Sequence, residues 1–131
     1  FFAGSGRGDL RRMLDALRRT PKFGSVEVRW PYWRRSNVPL GEYWDTLEAH
    51  LAELHSAAII GFERARNATD GYSHWTVVRK VTPQRLHLHD SGPRVMMRID
   101  RGQCRMWDDL EFHAGRPYAL DPCGTVLLSE R

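Results

Sequence analysis

The chain has 131 residues, 41% of them hydrophobic and 27% charged, and a net charge of +4. That length allows one domain with a single core, and the composition excludes a disordered chain. No apolar run approaches the roughly 18 residues of a membrane span, and nothing resembles a signal peptide, so neither a membrane partner nor export is expected.

The charge is uneven. Residues 1–35 hold nine Lys/Arg against three carboxylates, a net +6 that leaves −2 for the remainder. A basic stripe of this kind attracts phosphate, acidic peptides or nucleic acid, or is simply a solvated helix face. Two cysteines, Cys104 and Cys123, are too few for a disulfide framework and lack metal-ligand spacing, which points to a reduced, cytoplasmic setting.

In chain order, Phe1-Phe2 is an abrupt start without an initiator Met, and a segment upstream is expected. Leu10, Met13, Leu14 and Leu17 fall at i, i+3, i+4 and i+7 and predict a helix from Asp9 to about Arg19, ended by Thr20-Pro21 and Gly24. Ser25–Trp30 alternates as a half-buried strand. Pro31–Pro39 reads as a loop. Leu40, Tyr43, Trp44, Leu47, Leu51 and Leu54 trace one apolar stripe and predict a second helix over 40–54. Ala57–Phe62 suits a central strand buried on both faces. Residues 64–71 are polar and turn-rich. Strands are predicted at 74–81, 85–90, 94–99, 117–120 and 125–129, separated by Thr-Pro, Ser-Gly-Pro and Asp-Pro-Cys-Gly breaks. Helices first and an antiparallel meander after make an α+β domain spanning residues 1–131.

Pairing the strands around Thr82 so that Thr76 opposes Leu88 and Val78 opposes Leu86 puts His74 opposite Asp90 on the more apolar, inward face. Trp75, Val77 and Arg79 then share the other face with Arg85, His87 and His89. This register needs a three- or five-residue loop around Thr82-Pro83. An imidazole beside that carboxylate donates one N–H to it and keeps its other nitrogen free. That is the base-and-orienter half of a nucleophilic triad, and also the geometry of a structural ion pair.

Gly71-Tyr-Ser-His74-Trp-Thr-Val-Val78 followed by Arg85-Leu-His-Leu-His-Asp90-Ser91 resembles the bacteriocin-processing (double-glycine leader) peptidase-like branch of the papain-like cysteine peptidases. The layout of helices and strands over about residues 9–91 is similar too. The resemblance implies a papain-like fold fragment with N-terminal helices packed on an antiparallel sheet, His74 and Asp90 as catalytic base and orienting carboxylate, and Trp75 and Ser73 beside the substrate groove. It implies peptide or related amide substrates and no metal or organic cofactor. The family's nucleophilic Cys and oxyanion-hole Gln have no counterpart between Phe1 and Asp90. They are expected upstream, and the chain as it stands is expected to be hydrolytically inactive.

Neither Cys104 nor Cys123 opens a helix that would activate its thiol. Ser5, in Gly4-Ser5-Gly6, lacks the preceding strand of a nucleophile elbow. His87 and His89, with His113, have the residue type for a metal but no Cys or acidic ligand near them, and a solvated face is expected. Trp30 and Trp33, interleaved with Arg29, Arg34 and Arg35, resemble a stacking-plus-phosphate surface, although packing and not nucleic acid is the expected use. The alternative to a peptidase relative is a non-catalytic binding module using that basic, Trp-rich region. Oligomeric state is not legible.

Overall fold

The computed structural model describes residues 7–22, 24–35, 37–65, 71–89, 98–107 and 115–130. Helix α1 (Arg7–Arg18) forms where the apolar period predicts it, with Asp9 in its first turn and Arg18 in its last, each sign favourable to the helix dipole. Asp9 also pairs with Arg12 one turn on. The helix stops at Thr20, whose hydroxyl and N–H both donate to the Leu17 carbonyl.

After strand β1 (Val26–Arg29), helix α2 (Leu40–Leu51) buries Tyr43, Trp44, Leu47 and His50. The predicted continuation to Leu54 does not form. His50 ends the buried stripe with its ring tied to the sheet: Nε2–H donates to the carbonyls of Leu128 (2.9 Å) and Ala57 (3.0 Å), and Nδ1 accepts from the Arg29 guanidinium (3.2 Å). The chain has to turn at once to reach Ala57. His55 makes that turn at φ 55°, and Leu54 is left 86% exposed.

Among the described residues, strands β2 (Ser56–Ala65), β3 (Gly71–Thr82), β4 (Arg85–His89), β5 (Arg98–Asp100), β6 (Cys104–Met106) and β7 (Tyr118–Glu130) complete a seven-stranded sheet ordered β1-β7-β2-β3-β4-β5. Strand β6 lies beside the first half of β7, on the side where β1 pairs with its second half. All pairs are antiparallel except β6–β7, which is parallel, so the predicted meander is interrupted there. The fold is α+β, two helices packed on a mostly antiparallel sheet. The α2 face holds the larger core, built on Trp44, Tyr43, Leu47, Ile60, Leu86, Leu88 and Leu120. On the other face Leu10 and Leu14 of α1 pack near Val126, Ile59 and Trp75.

The two predicted strands on either side of Asp-Pro-Cys-Gly are one strand, β7. Its pairing with β2 slips between Ile59↔Val126 and Gly61↔Asp121, so residues 122–125 bulge out opposite Ile60. The turn chemistry read from the sequence is real but serves the bulge. Asp121 Oδ1 accepts from the Cys123 N–H (3.1 Å), and Pro122 has no N–H to leave unpaired. Thr125 donates its hydroxyl to the Asp121 carbonyl (2.9 Å) and accepts from the Tyr43 hydroxyl (2.6 Å), joining the bulge to α2.

On the opposite face the Trp75 indole lies over Gly61 and Gly124. A Cβ at Gly124 would come within 2.4 Å of the indole, and one at Gly61 within 2.9 Å. Gly124→Ala should therefore destabilise the protein by about 1–3 kcal/mol in urea unfolding, with much of the loss recovered in a Gly124→Ala/Trp75→Leu double variant. Gly102→Ala, which meets nothing within 4 Å, should stay within about 0.5 kcal/mol of the parent.

Candidate functional site

Strands β3 and β4 form the predicted hairpin in a different register. The loop is two residues, Pro83-Gln84, between Thr82↔Arg85, and a bulge at Arg79 separates Lys80↔His87 from Val78↔Leu88 and Val77↔His89. Relative to the expected pairing (Val78↔Leu86, Thr76↔Leu88) the strands are displaced by two residues. Before the bulge an even displacement keeps the side chains on their expected face, so Val78, Leu86 and Leu88 are buried as anticipated. The cause is the sequence Arg79-Lys80-Val81. Without the bulge, a two-residue shorter count would point Lys80 into the core opposite Leu86 and Val81 outward. With it, Arg79 and Lys80 are exposed and Val81 is 9% exposed.

The register that set His74 directly opposite Asp90 therefore does not hold over residues 77–89, and Asp90 itself lies outside the described residues. His74 is described. It is half-buried near the start of β3, opposite Phe62 of β2, and its imidazole meets the Phe62 ring edge-on at 5.6 Å between centroids. Phe62 in turn packs edge-on to Tyr118, whose hydroxyl accepts from Arg64 Nε (3.3 Å). His74 shares the face of Thr76 and Val78. Ser73 and Trp75 alternate to the other face, so the structure does not bring the two predicted groove residues beside the predicted base. Trp75 serves instead as the cover over Gly61 and Gly124, a role whose signal in the sequence is a pair of strand glycines.

Both cysteines are buried and hydrogen-bonded to backbone carbonyls. Cys104 is fully buried, its thiol donates to the Asp100 carbonyl (3.4 Å), and burial pushes its pKa up to about 12 although Arg116 pulls the other way. Cys123 is buried in the β7 bulge, and its thiol donates to the Arg35 carbonyl (3.1 Å). His113 and Ser5 lie outside the described residues.

The Arg/Trp region is largely engaged with the protein itself. Arg11 of α1 stacks over Trp33 at 4.6 Å, and Trp33 meets Trp30 edge-on at 5.2 Å. Arg35 pairs with Glu42 (3.1 Å) and lies 5.7 Å from the Tyr32 ring. Arg29 bonds His50. Arg34 is exposed at φ 66°. These contacts tie α1, the loop and α2 together. At the end of the sheet away from His74, an open groove of about 510 Å³ runs between α1 and the strands, lined by Leu14, Leu17, Val26, Val28 and Leu128 with Arg18 at its rim. No helix among the described residues is long and apolar enough to cross a membrane.

Folding keeps Cys104 protonated above the ordinary thiol value of 9.0, and burial raises Tyr43 as well. Both groups bind their protons more tightly in the folded state, so the stability they contribute is complete below about pH 9 and is lost as the pH rises toward 12. Urea midpoints should fall over that window. At pH 8 a thiol reagent should label neither cysteine in the native protein and both after unfolding, and rapid native labelling would restore one of them as a candidate nucleophile. Comparison with protein-family models, curated proteins and solved structures finds no match for the chain, which leaves its own residues as the ground for a functional reading.

Proposed function

We propose that the chain is the sheet-bearing part of a papain-like, bacteriocin-processing-peptidase-like domain, with His74 as the base and Asp90 as its orienting carboxylate. The observation that supports it is the setting of His74. It lies half-buried on the core face of a central strand, steadied by the edge of Phe62, roughly 26 Å along β3 from Thr82, where Trp44 Nε1–H anchors α2 to the strand. A base has to be held in one orientation and still reach a substrate, and this position meets both needs.

In such a site His74 takes the proton of a thiol. The thiolate attacks the amide carbonyl, and the imidazolium returns the proton to the leaving amine as the C–N bond breaks. The thiol does not come from Cys104 or Cys123, which are buried and bonded elsewhere. Residues 1–131 alone should thus bind but not cleave peptide amides.

The dyad can be tested in this chain. Nitrogen-15 NMR of the His74 ring should show a single tautomer with a slowly exchanging N–H proton far downfield. Asp90→Ala should abolish that signal, while Asp90→Asn, which still offers an oxygen, should keep it. An unchanged spectrum in Asp90→Ala would sink the pairing.

A further inference from the structure

The register of the β3–β4–β5 hairpins stacks three basic side chains on one rung. Lys80 is directly opposite His87, and His87 is directly opposite Arg98, all on the face away from α2. Directly opposed residues carry Cβ atoms roughly 4.5–5.5 Å apart, and like charges in that relation are destabilising. The next rung shows the ordinary solution: Arg85 is opposite Asp100 and bonds it at 2.7 Å. Among the described residues no carboxylate bonds Lys80, His87 or Arg98. Lys80 and Arg98 are exposed, His87 is half-exposed between them, and Arg79 is exposed in the adjoining bulge.

We propose that this rung is a binding site for a phosphoryl dianion, held between Lys80, His87 and Arg98. A tetrahedral oxyanion offers several acceptor oxygens to three donors spread over two strand spacings of about 4.8 Å each, and it neutralises a repulsion that no carboxylate among the described residues compensates. The site is distinct from the His74 region, which is on the other face of the sheet. The groups facing His87 are Lys80 and Arg79 from β3, Arg85 and His89 on its own strand, and Arg98 and Asp100 from β5, with Asp100 committed to Arg85. Partial desolvation, then Lys80, Arg79, Arg85 and Arg98 in that order, lower the His87 pKa from 6.5. A bound dianion favours the imidazolium, so occupancy must raise the His87 titration midpoint, and protonated His87 must bind the anion more tightly.

The test is a proton NMR titration of the His87 ring with inorganic phosphate and with a small phosphomonoester, each against sodium chloride at equal ionic strength. The expected result is a saturable shift with both phosphates and an upward move of the midpoint. Saturation by inorganic phosphate at equal affinity identifies a free-phosphate site. Tighter binding of the ester identifies a phosphorylated small molecule. Lys80→Gln and Arg98→Gln, both exposed, should each weaken binding about tenfold, whereas Arg18→Gln, on α1, should not. The proposal fails if phosphate moves His87 no more than chloride does. It fails equally if only an oligonucleotide binds, since the rung would then be one part of a polyanion face and not a phosphoryl site.

Discussion

Strand β7 has to pass a four-residue bulge while pairing with three other strands, and the remainder of the structure is arranged around that constraint. Before the bulge it pairs with β6 and the far half of β2, and after it with β1 and the near half of β2. A displaced backbone in the middle of a sheet exposes unpaired groups and weakens the ladder. Here both faces of the irregularity are closed. On one side Thr125 links the Asp121 carbonyl to the buried Tyr43 hydroxyl of α2, and on the other the Trp75 indole fills the space left by two glycines. The bulge thereby sets the seat of α2 and the identity of the residue after His74, although neither is adjacent to it in sequence.

The second anchor of α2 is His50, which gathers β1, β2 and β7 through one imidazole. A ring that donates to two backbone carbonyls and accepts from a guanidinium has both nitrogens used, so this buried histidine is a structural part. His74 has a different setting: it is half-buried, it lies at the other end of the sheet, and its ring meets the edge of Phe62. Histidines that look alike in composition are separated by what surrounds them.

Much of this was legible in the sequence. Apolar period located α1 and most of α2, and alternation located β1, β3 and β4 and the inward face of the hairpin. What failed were features that depend on partners distant in the chain. Helix α2 stops short because His50 is captured by Leu128 and Ala57. Asp121–Gly124 reads as a turn because its residues have turn chemistry, and only pairing with β2 on one side and β6 and β1 on the other keeps it within a strand. The hairpin register was off by two because a two-residue turn plus a bulge at Arg79 satisfies the burial of Val81, Leu86 and Leu88 as well as the longer loop would. Face survives such an error, whereas partner does not. That is why the side of the sheet on which His74 lies could be anticipated and the residue opposite it could not.

The same bulge places a second group of positive charge outside the stretch that composition singles out. Counting Lys and Arg singles out residues 1–35, yet there Arg11, Arg29 and Arg35 are taken up by Trp33, His50 and Glu42. Around the hairpin the count is unremarked, but burying Val81 turns both Arg79 and Lys80 outward and aligns Lys80 with His87 and Arg98. Register decides which charges are neutralised and which are left to act on something else. A basic residue on a helix or loop can swing toward a nearby acid or ring. One held on a strand rung chooses among the side chains that the pairing sets beside it, and here those directly opposite are basic and the diagonal Asp100 is taken by Arg85.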